Sequence, residues 1–318
     1  MGEEQQNLTR AVSFLPDRLR FPLMAVREED ALQIREIRLK RLTPVMLRTD
    51  AGYQFLRYNG VLTDCEKAGD LCRVEHTDME DALRRLCSFS IHAFQNEMKN
   101  GYITTPGGHR VGICAGATLS GQGELTAVHN VSSMSIRIAR EVPGAADELL
   151  RQCYSGALKS VLIVGEPASG KTTVLRDAVK QLSGREYGYI RVCVVDERGE
   201  IAASCDGVSR KQLGFGCDVL DGYPRADGMM IALRAMSPEI VVCDEVGTQE
   251  DAAALEQVAN AGVRLLSSIH AESFAKLLRR PQFSRLMKAG AFDVAVILRG
   301  RQAPGEIAEI VSLKKYWR

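Results

Sequence analysis

From Ser160 onward the apolar and polar positions change period repeatedly, as alternating strands and helices require. Val161-Leu162-Ile163-Val164 and Ile240-Val241-Val242-Cys243 are short apolar runs of buried-strand length. After the first of them, Val174, Leu175, Ala178, Val179 and Leu182 recur at helical spacing. The pattern predicts strands at 160–164, 191–195, 239–243, 263–268 and 292–298, with helices near 171–183, 226–236, 249–261 and 273–289. Such alternation implies an α/β domain built on a mostly parallel sheet. A last apolar stretch, 307–312, faces 292–298 across Gly300-Arg301-Gln302-Ala303-Pro304-Gly305 and suggests a closing hairpin at the sheet edge.

The first 130 residues have a different rhythm. Glu36-Ile37-Arg38-Leu39, Val45-Met46-Leu47 and Tyr53-Gln54-Phe55 alternate as short strands do. Thr77-Asp78-Met79-Glu80 has the form of a capping box for a helix over 78–88, and a second helix is expected to end at Asn100-Gly101. Residues 101–116 and 132–141 complete a small α+β domain, and Pro143-Gly144 marks the boundary. The expected organisation is an N-terminal α+β domain and linker over 1–142, followed by an α/β domain over 143–318.

Between strand and helix stands Gly165-Glu166-Pro167-Ala168-Ser169-Gly170-Lys171-Thr172, which satisfies G-x-x-x-x-G-K-[ST] at every constrained position. The glycines allow successive amides to turn towards phosphate oxygens at a helix N-terminus. Lys171 would reach the β- and γ-phosphates, Thr172 would ligate Mg²⁺, and Thr173 follows in the same turn. A chance match in a glycine-rich chain is the bland alternative, and the strand–loop–helix setting argues against it. ATP and Mg²⁺ are therefore the expected ligands.

Two acidic pairs follow predicted strands. Asp244-Glu245 ends the run 239–243, where an acid holds the metal's hydration shell and a following Glu polarises the attacking water. Asp196-Glu197 ends 191–195, with Glu200 close by. Asp196-Glu197-Arg198-Gly199 also fits the D-x-x-G element of GTPases, but the chain has no Asn-Lys pair for a guanine-reading N-K-x-D. Ser267, Ser268 and His270 follow another strand, which makes His270 a candidate for sensing phosphate or ordering water. All these clusters fall where open α/β sheets collect ligands, at the carboxyl ends of strands. The polar, glycine-rich stretch 206–228, with Arg210, Lys211 and Arg225, reads as a long functional loop suited to subunit or partner contact.

The order of these motifs is similar to one known family. The phosphate loop, VVDERGE, DVLDGYPRADGMMIALRAMSPEIVVCDEVG and SSIHAES, with the N-terminal EIRL, GYITTPGGHRVGICAG and SIRIARE, resembles the stage III sporulation protein AA family, related to secretion ATPases of type II and type IV systems. The resemblance implies a RecA-like P-loop ATPase domain, assembly as a homo-hexamer and a peripheral place at the cytoplasmic face of the mother-cell membrane. Membrane-embedded channel components between mother cell and forespore would be its partners. It assigns Lys171 and Thr172 to phosphate and metal, Asp196 and Glu197 to one acidic box, Asp244 and Glu245 to the second, and His270 to a histidine box. Arginines contributed by the first domain and linker suggest Arg137 and Arg140 as nucleotide contacts. The family's arginine before Asp-Val-Leu is replaced here by Gly214-Phe215-Gly216-Cys217, so Arg210 or Arg225 would have to substitute.

Composition narrows the alternatives. A formal net charge of +1 over 318 residues gives no global attraction to nucleic acid, and the single Trp leaves no evident strip of aromatic and basic residues for single strands. A nucleic-acid-dependent motor is thereby disfavoured, and no nucleic-acid partner is expected. An ATP-switched scaffold without turnover stays open, with the Asp244-Glu245 pair against it. The polar N-terminus lacks a signal-peptide core, and nine cysteines without a C-x-x-C pair fit reduced thiols, so a cytoplasmic location is expected.

Overall fold

The computed structural model describes residues 3–94, 97–98, 101–105, 107–119, 125–202, 204, 209 and 213–317. Two compact units divide at residues 140 and 141. Among the described residues, no helix is long and apolar enough to cross a membrane.

Unit 1 is built on an antiparallel sheet in the order β4-β3-β2-β1-β7-β6-β5. Its strands are β1 Glu36–Lys40, β2 Met46–Thr49, β3 Gly52–Leu56, β4 Leu62–Thr63, β5 Tyr102–Thr104, β6 Arg110–Leu119 and β7 Leu125–Arg137. Period-two alternation buries Ile37, Leu39, Leu47, Val111, Met134 and Ile136 on one face, against the side chains of the helices Glu3–Ala11, Asp17–Met24 and His76–Leu86. The other face carries Arg38, Lys40, Arg48 and Arg137 in exposed positions. Two sequence expectations shift here. The capping box of the helix His76–Leu86 is Glu75 with Asp78, two residues upstream of Thr77, because the Asp78 carboxylate accepts from the Glu75 amide (2.6 Å). Strand β7 begins at Leu125, earlier than the expected 132. The helix end expected at Asn100 lies outside the described residues.

Unit 2 holds a second sheet in the order β10-β9-β11-β12-β8-β13-β14. Its strands are β8 Val161–Gly165, β9 Val192–Asp196, β10 Cys217–Asp221, β11 Ile240–Cys243, β12 Arg264–His270, β13 Val294–Leu298 and β14 Ile307–Ser312. Every neighbouring pair is parallel except β13 with β14, the expected hairpin. Strands β8, β9 and β11 are buried at every position, as continuous apolar runs in a covered parallel sheet should be. Cys193 and Cys243 are buried in these strands as packing residues.

The stretch read as one loop over 206–228 contains an element that the sequence analysis did not separate: β10 pairs in parallel with β9 at the sheet edge. None of its five residues is fully buried, unlike those of the central runs, because an edge strand is covered less completely. Arg210 and Lys211 lie outside the described residues. The helix expected over 226–236 is α-helical only from Arg225 to Ile231 and continues as a π-helical turn, Ala232–Met236, up to a left-handed Ser237 (φ 47°) before Pro238. Residues 273–289 form two helices, Phe274–Leu278 and Pro281–Lys288, since Pro281 cannot continue a helix but suits a first turn.

Gly228 brings the helix Arg225–Ile231 unusually close to β9. A Cβ at this position would lie 2.4 Å from the Cγ1 of buried, β-branched Val195. Overpacking costs about 1–3 kcal/mol, against ~1 kcal/mol of helix propensity regained when Ala replaces Gly. Gly228→Ala is therefore expected to lower the urea midpoint, whereas Gly156→Ala, with open space around its Cβ, should leave it within error. Equal midpoints for the two variants would contradict the close approach.

Candidate phosphate-binding site

The parallel register aligns the chemistry. His270 stands opposite Gly165 on β8, and Cys243 stands opposite both Val195 and Ser267. Asp196, Asp244 and Ser268, each one residue further on, therefore share one level at the carboxyl ends of three adjacent strands. The phosphate-type loop leaves β8 at that edge and enters the helix Lys171–Leu182, whose first amides have no partner one turn earlier.

The loop's backbone needs its glycine. Gly170 is left-handed (φ 90°), and a Cβ there would lie 2.5 Å from the Gly305 amide nitrogen. That close approach is occupied by the β13–β14 hairpin, folded against the loop. Gly305 donates to the Ser169 carbonyl (2.8 Å), and Arg301 Nε donates to the Pro167 carbonyl (3.0 Å). The sequence identified this hairpin only as an edge; its contact with the loop follows from β13 pairing directly with β8.

Two side chains in the loop have surroundings that suit an anion. Lys171 is buried, and its ammonium donates to the carbonyls of Gly165 (3.0 Å) and Glu166 (2.8 Å), with no ion pair formed among the described residues. Burial pulls its pKa down, against the pull of Asp244 and Glu245. The Ser169 hydroxyl is fully buried and has no hydrogen-bond partner among the described residues. A buried cation with no contacting carboxylate among the described residues, beside an unsatisfied hydroxyl, fits a phosphate.

The acids are sorted by their surroundings. Thr172 Oγ1 donates to Asp244 Oδ2 (2.7 Å), Ser268 Oγ donates to Asp244 Oδ1, and the Glu245 amide donates to Ser268 Oγ (3.0 Å). This arrangement brings Thr172, Asp244 and Ser268 together as a hard, oxygen-only set of the kind Mg²⁺ takes. Asp196 is buried instead and accepts from the amides of Glu200 (2.9 Å), Ile201 (3.1 Å) and Ala202 (2.7 Å), which folds the loop after β9. Burial raises its pKa, opposed by those amides. Glu245 is exposed and left-handed (φ 49°), with its carboxylate on Arg198 (2.9 Å). Glu197 pairs with Arg225 (2.8 Å). His270 is exposed, and its Nδ1 lies 3.2 Å from the Gly165 carbonyl, to which a protonated Nδ1 would donate.

Beside Gly170 and Thr173 opens a cavity of about 700 Å³, walled by Val142, Ala145, Pro304 and Ile307. Within unit 1, Arg137 is exposed at the end of β7. Arg140 is committed there to other work, donating to the carbonyls of Ala31 (2.9 Å) and Ile34 (3.1 Å) beside Glu4. Sequence reasoning had no signal for that brace, because its acceptors are main-chain carbonyls more than a hundred residues away.

A family model described as sporulation stage III, protein AA, matches residues 4–316. Stage III sporulation protein AA of Bacillus subtilis (strain 168) is 35% identical over 298 residues, covering 93% of this chain and 92% of that protein. Among solved structures, the Legionella pneumophila ATPase DotB aligns with a TM-score of 0.57 at 16% identity, over 87% of this chain and 74% of that one. The pilus retraction motor PilT with bound ADP aligns with a TM-score of 0.51 at 13% identity, over 85% and 76% of the two chains. These two structures share the fold.

Gly170→Ala should separate hairpin from loop, since both the left-handed angle and the 2.5 Å approach forbid a side chain. Hydrogen exchange at the Gly305 amide is expected to accelerate, while amides within β13 stay protected. An unchanged Gly305 rate would show that the hairpin holds without the loop.

Proposed function

The chain belongs to the sporulation stage III protein AA family, and from that premise we propose that unit 141–318 binds and hydrolyses ATP with Mg²⁺. The single observation that carries this reading is the buried Lys171 ammonium, with no ion-pair partner among the described residues, in a loop whose neighbouring acid–hydroxyl cluster suits a metal. The fold shared with DotB and PilT, an ATPase and a motor by name, supports it. In this reading the loop amides, Lys171 and Ser169 grip the β- and γ-phosphates, and the cavity beside Gly170 and Thr173 takes the nucleoside. Thr172 and Asp244 would hold Mg²⁺, which supplies positive charge against the phosphate oxygens. Glu245 orients and deprotonates the attacking water, and His270 attends the γ-phosphate. Asp196 and Glu197 shape the site from β9.

We place this ATPase in a RecA-like ring, a homo-hexamer as the family resemblance implies, energising a sporulation channel from the cytoplasmic face of the mother-cell membrane. Arg137, exposed and planar, is the arginine free to reach a γ-phosphate. Arg140 could do so only by leaving Ala31 and Ile34.

Titration with a fluorescent ATP analogue and steady-state turnover test the site together. Lys171→Ala is expected to lose binding while remaining folded. Glu245→Gln should bind Mg·ATP with near wild-type affinity but turn over about 10²–10⁴-fold more slowly, the usual reach of general-base catalysis. Arg137→Ala should cut turnover far more than binding. A folded Lys171→Ala protein with unchanged affinity would refute the phosphate site, and full turnover in Glu245→Gln would move the base elsewhere.

A further inference from the structure

Arg225 is the first residue of its helix, placed by Pro224 and by the close packing at Gly228. Its guanidinium is mostly buried, with 13% of the side chain exposed. One terminal nitrogen donates to two successive carbonyls, those of Asp244 (2.9 Å) and Glu245 (2.8 Å). The other terminal nitrogen pairs with Glu197 at 2.8 Å, and Nε faces buried Asp251 at 3.6 Å. Asp251 in turn caps the next helix, accepting from the amides of Gly247 (3.1 Å) and Thr248 (3.0 Å). A single planar cation thus ties the turn after β9, the turn after β11 and the start of the helix Gln249–Asn260.

The turn that it grips is strained. Glu245 is a non-glycine residue at φ 49°, a conformation that costs about 1–3 kcal/mol and persists only where the surroundings over-determine it. Four restraints do so among the described residues: the Ser268 hydroxyl and the Asp244 carboxylate (2.9 Å) on its amide, the Ser268 carbonyl on the next amide (2.9 Å), and Arg225 on its carbonyl. Lysine can replace that last restraint only in part, because a single ammonium cannot span both carbonyls and the carboxylate in one plane.

We infer that Arg225 is a positioning residue for hydrolysis: it holds the main chain of Asp244-Glu245 in the left-handed turn that aims the Glu245 carboxylate, and it couples that turn to Glu197. Arg225 touches neither nucleotide nor water in this account. The inference rests on the ATPase reading for its kinetic consequence, but its structural half stands without nucleotide.

The test uses the full chain in two arms. In nucleotide-free protein, Arg225→Ala should speed hydrogen exchange at the amides of Glu245 and Val246 by at least about tenfold, the factor that 1.4 kcal/mol represents, with amides in β8 unchanged. In turnover, Arg225→Ala should lower kcat by about 10²-fold, the cost of an ångström-scale misplacement, with the affinity for the fluorescent ATP analogue within about twofold of wild type. Arg225→Lys, which keeps the charge at buried Asp251, should recover part of the exchange protection and part of kcat, and it serves if Arg225→Ala fails to fold. Unchanged exchange at Glu245, or wild-type kcat in both variants, overturns the inference. Loss of kcat and affinity in equal proportion overturns it too, since that marks a general structural role. A wild-type protein that never turns over ATP counts against the ATPase reading instead, and the exchange arm still decides Arg225.

Discussion

Burying the Lys171 ammonium takes a cation out of water, and among the described residues two neutral carbonyls, from Gly165 and Glu166, accept from it. Carbonyl dipoles offset part of the desolvation but none of the charge, which is why burial pulls the lysine's pKa down. Much of unit 2 serves to keep that cation there. β8 is buried at every position and fixes Gly165, the left-handed Gly170 turns the loop, and the β13–β14 hairpin bonds to its far side. An anion with several oxygens would resolve the imbalance, and a phosphate would also satisfy the Ser169 hydroxyl, which has no partner among the described residues.

The acids divide by what surrounds them. Asp196 is enclosed and satisfied by three amides, so its carboxylate shapes a loop. Asp244 accepts two hydroxyls, from Thr172 at the start of the helix after the loop and from Ser268. Glu245 sits exposed on a strained backbone, with Arg198 on its carboxylate, a surface pair that contributes little and is readily exchanged. Four carboxylates close in sequence pattern thus acquire different chemistry from local geometry, Glu197 being spent on Arg225.

Arg137 and Arg140 show the same sorting in unit 1. Three residues apart and alike in sequence, one is exposed at a strand end and the other braces the carbonyls of Ala31 and Ile34. Strand alternation explains the first, because Ile136 beside it fills the core. The second follows from the chain leaving β7 towards the segment 31–35, a long-range consequence of the antiparallel β1–β7 pairing.

Sequence alone determined the elements whose physics is local. Buried parallel strands appear as unbroken apolar runs, and the phosphate loop appears as glycines and a lysine at fixed spacing, because backbone angles and periodicity are properties of neighbouring residues. Order across the sheet, and with it the level shared by Asp196, Asp244 and Ser268, came only from tertiary pairing. Strand β10 escaped because an edge strand lacks two covered faces, and the capping box slipped by two residues because Asp78 is claimed by Glu75 and Arg18 together. Arg225 was visible as a basic residue in a polar stretch. What it grips became apparent only when two strand ends and a helix start met around it, since main-chain carbonyls leave no mark in a sequence.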